Sequence, residues 1–182
     1  MANVYLLTGS PGAGKTSLIK EAIAGFEIKA GGFFTEEIRD HGLRQGFKIT
    51  TLNGQSAILS HVNILSPFHV SKYGVDIKTL DSVGVTALNR AIENSDLIVV
   101  DEIGKMELLS LNFQEAITRA LESGKKMLGT IMLGPHPFTD KIKGNPNTKV
   151  INVSRANHDQ VLTEIQQWLR TVKNATGATN NR

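Results

Sequence analysis

The sequence predicts an α/β fold, with a mainly parallel central sheet flanked by helices and a small antiparallel hairpin region. Three observations carry this prediction. The runs "VYLLT" (4–8), "LIVVD" (97–101) and "MLGTIML" (127–133) are short and almost wholly apolar, like strands buried on both faces of a parallel sheet. Stretches with helical spacing alternate with such runs along the chain. Between the first strand and the first helix lies "GSPGAGKT" (9–16), a glycine-rich turn at the place where a phosphate-binding βα unit carries one.

In chain order, "NVYLLT" reads as the first strand, and "KTSLIKEAIAGF" puts Leu18, Ile19, Ala22 and Ile23 on one helical face that can cover the sheet. From about 30 to 60 the pattern changes. "GGFFTEEIR", "GFKITTL" and "SAILS" are short strand-like runs, and Asn53-Gly54 is a tight-turn signal, so an antiparallel insert or edge is expected there. "HVNILSPFHVSKYGV" (61–75) has no clear period and is a candidate lid or substrate loop, the alternative being a surface connection with a few buried anchors, with Phe68, Lys72 and Tyr73 able to contribute to a base pocket or to local packing. Helical spacing returns over "DIKTLDSVGVTALNRAIENS", with Leu80, Val83, Ala87, Leu88 and Ile92 on one face. Strand "DLIVVDEIG", helix "NFQEAITRALESG", strands "KKMLGTIML" and "TKVINVS", and helix "ANHDQVLTEIQQWL" follow, with Trp168 expected in the core.

The 182 residues suit a single domain, placed at 1–172, with 173–182 expected to be a flexible tail. A hydrophobic fraction of 40% and a charged fraction of 20% fit a globular protein, and no apolar run is long enough to cross a bilayer. The absence of cysteine excludes disulfides, a thiol nucleophile and thiolate metal sites. The N-terminus runs straight into the first strand without a basic segment, so no signal peptide is read and the cytoplasm is the expected compartment. The net charge of +3 is dispersed, which disfavours a nucleic-acid track as partner; the sequence carries no signature of oligomeric state.

The pattern G-x-x-x-x-G-K-[ST] is met by Gly9, Gly14, Lys15 and Thr16, with Ser10, Pro11, Gly12 and Ala13 between them. Gly12 and Gly14 let the backbone turn so that successive N–H groups converge on phosphate oxygens, and Pro11 stiffens the loop. The helix starting near Lys15 adds unpaired N–H donors. Lys15 is expected to reach the β and γ phosphates and Thr16 to supply an oxygen to Mg²⁺, so a nucleoside triphosphate is the expected small-molecule partner.

Asp101, at the end of a buried strand, is the expected Mg²⁺ carboxylate. Glu102, directly beyond it, can face the γ-phosphate and accept a proton from an attacking water, the alternative being a solvated carboxylate or an ion pair. Lys105 and Glu107 are secondary candidates, the first to steady triphosphate charge and the second to pair with it or help position water. Arg39 and Arg44 are candidate cations for the transition state. The five histidines, at 41, 61, 69, 136 and 158, lack the spacing of a metal cage. No guanine-reading "NKxD" occurs, which is compatible with broad use of ATP, GTP, CTP and UTP.

Together, "TGSPGAGKT", "AGGFFTEEIR", "GFKI" and "LIVVDEIGKMEL" resemble the thermophilic nucleoside-triphosphatase family that includes a human cancer-related nucleoside triphosphatase, over roughly residues 3–169. The resemblance implies a RecA-like P-loop fold and Mg²⁺-dependent hydrolysis of nucleoside triphosphates to diphosphate and phosphate. It also admits a nucleoside or nucleotide kinase that transfers the γ-phosphate to a small acceptor, and the 61–75 loop and the basic pI point to a third reading, a nucleotide-switched partner-binding module. Where the family phrase reads Asn-Arg-Asp, this chain has Asn157, His158 and Asp159, with Arg155 out of register.

Overall fold

The computed structural model describes residues 2–177. Its strands are β1 (Val4–Thr8), β2 (Ala30–Asp40), β3 (Leu43–Thr51), β4 (Ser56–His61), β5 (His69–Val70), β6 (Tyr73–Val75), β7 (Leu97–Ile103), β8 (Lys126–Ile131) and β9 (Thr148–Asn152). Its helices are α1 (Lys15–Ala24), α2 (Ile77–Thr79), α3 (Thr86–Asn94), α4 (Leu111–Glu122), α5 (Pro137–Lys143) and α6 (His158–Gly177). A π-helical segment, Leu80–Val85, joins α2 to α3, and a 3₁₀ turn, Glu107–Leu109, precedes α4.

All strands join one nine-stranded sheet in the order β5-β6-β4-β3-β2-β7-β8-β1-β9. The ladders β2–β7, β7–β8, β8–β1 and β1–β9 are parallel. The ladders β2–β3, β3–β4, β4–β6 and β6–β5 are antiparallel. The sheet is therefore mixed in equal parts, which corrects the expectation of a mainly parallel one. The reason lies in β2. Its first half, Ala30–Phe34, pairs with β7, while Phe33–Asp40 pairs with β3, so the hairpins expected near 30–60 fuse to the parallel core.

Helices cover both faces, as the apolar strands require. On one face Leu18, Ile19 and Ala22 of α1 and Val161, Ile165, Trp168 and Leu169 of α6 pack on Tyr5, Leu7, Val99 and Leu128. On the other, Leu88 and Ala91 of α3 and Phe113, Ala116 and Ile117 of α4 pack on Val4, Leu6, Ile98 and Val100. Ser110 caps α4 by accepting the Phe113 N–H at 3.0 Å, and Pro137 occupies the first turn of α5.

Helix α6 runs to Gly177, past the point where a flexible tail was expected; residues 178–182 of that expected tail lie outside the described residues. The 61–75 segment holds the β5–β6 hairpin at the outer edge of the sheet, six strand positions from β1. At about 4.8 Å per strand this is about 29 Å from the glycine loop, so the segment is no lid for it. Tyr73 is buried, edge-on to Phe47 with ring centroids 5.7 Å apart, and serves local packing.

Candidate active site

The parallel strands β1, β7 and β8 end at one edge of the sheet, and each contributes a polar residue there. After β1 the chain enters the glycine loop. Gly9 has φ +140°, and a Cβ on it would lie 2.5 Å from the Val153 carbonyl oxygen, so only glycine fits beside the β9–α6 loop. Gly14 takes the left-handed conformation, φ +86°, as the N-cap of α1, and no side chain caps that helix. The first-turn amides of α1 are thus left for a ligand, which is what phosphate binding at a helix N-terminus needs. Lys15 Nζ donates to the carbonyls of Gly9 at 2.9 Å and Ser10 at 3.0 Å, which folds its ammonium over the loop.

Asp101 ends the apolar stretch of β7 and is buried. Thr16 Oγ1 donates to its Oδ2 at 2.6 Å, and Thr130 Oγ1 of β8 donates to its Oδ1. Thr35 Oγ1 of β2 donates to the Asp101 carbonyl oxygen at 3.0 Å. Burial pushes the Asp101 carboxyl up from its ordinary pKa, opposed by the Thr130 and Thr16 hydroxyls and by Lys15 and Lys20. Strands β2 and β8 and the end of the glycine motif therefore converge on one residue of β7, Asp101, and two of the three contacts are to its carboxylate.

Glu102 follows it, joined by a cis peptide. Here the β7–β8 register shifts, between Val100 and Ile103, and the chain leaves the regular ladder. The Glu102 side chain lies over Gly104: a Cβ at 104 would come within 2.1 Å of Oε1 and 2.8 Å of Cδ. Burial first, and then the Asp101 charge, raise the Glu102 pKa, while Lys15 lowers it. Glu107, in the 3₁₀ turn, is buried with its carboxyl against the backbone amides of Glu107 and Gly104. Burial and then the Glu102 charge drive its pKa well above the ordinary glutamate value.

The structure thus brings together residues 9–16, Asp101 and Glu102, with Glu107 behind them. Lys105 is exposed, and the expected Lys105–Glu107 pair does not form, because Glu107 turns into the interior. Arg39 and Arg44 sit on the β2–β3 hairpin, where both guanidinium groups engage Glu37 and Arg39 also donates to the Gly42 carbonyl. Sequence reasoning missed Thr130 and the space for Glu102 at Gly104. The one signal for Thr130 was a lone hydroxyl in an apolar strand. An open groove of about 520 Å³, lined by Leu111, Gln114, Glu115, Thr118, Arg119 and Phe138, contains none of the converging residues, and the phosphate chemistry does not depend on it. Among the described residues no three or more of His, Cys, Asp and Glu gather as a metal cage.

An α/β sheet with a glycine loop after β1 and a buried carboxylate at the end of β7 defines the class of P-loop nucleotide-binding proteins. The comparisons with known proteins narrow the class: residues 4–166 match the family described as NTPase, and the chain belongs to this nucleoside-triphosphatase family. The nucleoside-triphosphatase THEP1 of Thermotoga sp. (strain RQ2) is 44% identical over 165 residues, which cover 91% of this chain and 94% of that protein. The crystal structure of THEP1 from Aquifex aeolicus superposes with a TM-score of 0.84 at 32% identity, covering 91% of this chain and 98% of that one. The solution structure of a human cancer-related nucleoside triphosphatase does so with a TM-score of 0.75 at 32% identity, covering 100% of both chains.

Proposed function

We propose that this protein hydrolyses ATP, GTP, CTP and UTP to the diphosphate and phosphate in a Mg²⁺-dependent reaction in the cytoplasm, within one domain spanning residues 1–172. The frame is RecA-like, a reading supported by β8 lying between the loop strand β1 and the carboxylate strand β7. The observation that carries hydrolysis is Glu102, held over Gly104 directly beyond Asp101.

The loop amides and Lys15 bind and orient the phosphates, as they do in other P-loop sites. Glu102 accepts a proton from a water as that water's oxygen bonds to the γ-phosphorus and the bond to the bridging oxygen breaks. Its raised pKa makes it a stronger base than an exposed glutamate. The Thr16 hydroxyl and the Asp101 carboxylate are hard oxygen donors, and a buried carboxylate tied to two hydroxyls suits a divalent cation. When bound, Mg²⁺ neutralises charge on the β and γ phosphate oxygens.

Transfer to a monophosphate would need free cations to hold the acceptor's own phosphate, and the Glu37 contacts of Arg39 and Arg44 count against that reading. Product identity is the test. Each nucleotide is supplied in ¹⁸O-labelled water with and without nucleoside and monophosphate acceptors. One ¹⁸O atom per released phosphate, with no phosphorylated acceptor, is the expected result; a phosphorylated acceptor at the expense of free phosphate would overturn hydrolysis.

A further inference from the structure

The β9–α6 loop presses against the opposite side of the glycine loop from Asp101 and Glu102. Its shape is fixed from within. Asn157 Oδ1 accepts the Ser154 N–H at 2.8 Å, its Nδ2 donates to the Asn152 carbonyl at 2.8 Å, and its own carbonyl accepts the Val161 N–H at 2.9 Å. The Val153 carbonyl lies against Gly9. At the first position of α6, His158 turns its Cδ2–Nε2 edge to Gly14: a Cβ there would lie 3.7 Å from Cδ2 and 3.9 Å from Nε2. Its Nδ1 is 3.4 Å from Asp159 Oδ1, and its side chain is 28% exposed.

The strand order gives the bound nucleotide a direction. Across the sheet edge the order is β7, β8, β1, β9, with Glu102 on β7 and His158 just beyond β9. With the γ-phosphate at Glu102 and the phosphates on the loop after β1, the ribose and base leave on the β9 side. The half-buried ring at that exit is His158.

We propose that His158 is a nucleoside-contacting residue, its imidazole forming the wall against which the ribose and base of the bound nucleotide lie. The proposal rests on the hydrolase reading for the orientation of the triphosphate. A flat aromatic wall is indifferent to which base lies on it, because every base has a π face. His158 therefore adds affinity for nucleosides as a class and none for phosphate chains alone.

The test is titration calorimetry of the Mg²⁺ complexes of ADP, GDP, CDP, UDP and inorganic pyrophosphate with the wild type, His158→Ala and Lys15→Ala. For His158→Ala the expected result is about a tenfold loss for all four nucleoside diphosphates, the size of one aromatic stacking contact, with pyrophosphate unchanged. Pyrophosphate serves as the folding control, because a collapsed site would lose it too. Unchanged diphosphate binding, or an equal loss for pyrophosphate, overturns the role of His158. Binding of all five by Lys15→Ala as tightly as by the wild type would instead overturn the site reading beneath it.

Discussion

Thr130 and Glu107 show how single side chains set the electrostatics of the site. Thr130 gives Asp101 one of its two hydroxyl partners inside the sheet, where a buried carboxylate that loses a hydrogen bond bears the full desolvation cost. Thr130→Val is expected to lower stability by about 1–3 kcal/mol and kcat/KM by about tenfold or more, read from urea unfolding and steady-state kinetics. Glu107 behaves in the opposite sense. Its native pKa is well above the ordinary 4.5, so the folded state holds a proton that the unfolded chain releases. Its contribution is complete below about pH 4.5 and is lost as pH rises through the native value. Glu107→Gln is expected to raise Tm at pH 8 by about 2–8 °C and to leave it unchanged near pH 4; an equal shift at both pH values in scanning calorimetry would contradict this assignment. At this scale the sequence shows what is contiguous. Residues 9–16 are legible because each acts through its neighbours. Thr130 is not, because its partner is 29 residues away and a hydroxyl in a strand has no motif.

Elements were legible where one period governed them. The helix over 77–94 illustrates the limit, since Leu80, Val83 and Leu88 are buried and Ile92 packs partly buried against the core as its spacing predicts, while Ala91 rather than Ala87 is buried. The π-helical segment is wider per turn than an α-helix, so the apolar face slips in phase after it. Helix α6 followed its period and fastens the loop side of the sheet. Trp168 stacks on Tyr5 with centroids 4.4 Å apart and donates from Nε1 to the Ala2 carbonyl at 2.9 Å. Trp168→Ala is expected to cost about 3–5 kcal/mol, measured by denaturant unfolding, because the cavity would open beneath both α6 and β1. A loss below 1 kcal/mol would mean that α6 contributes little to holding that face.

Across the whole molecule, the mixed sheet separates two regions with different work. The parallel strands bring the glycine loop, Asp101, Glu102 and Thr130 to one edge, while the antiparallel hairpins carry Arg39 and Arg44 outward with Glu37. The sequence showed both kinds of strand but not their fusion through β2, since its parallel partner β7 lies more than sixty residues further along the chain, as the Thr35–Asp101 contact, 66 residues apart, shows. Arg39→Ala and Arg44→Ala are expected to leave turnover within about twofold, as surface ion pairs contribute only about 0–1 kcal/mol; a loss of two orders of magnitude in either would return that arginine to the site. The central claim is that the glycine loop binds the triphosphate and Glu102 delivers the water. Glu102→Gln, assayed for both Mg²⁺-nucleotide affinity and phosphate release, tests it most directly. Affinity close to wild type with turnover reduced about 10²-fold or more is the predicted result, and unchanged turnover would contradict the account.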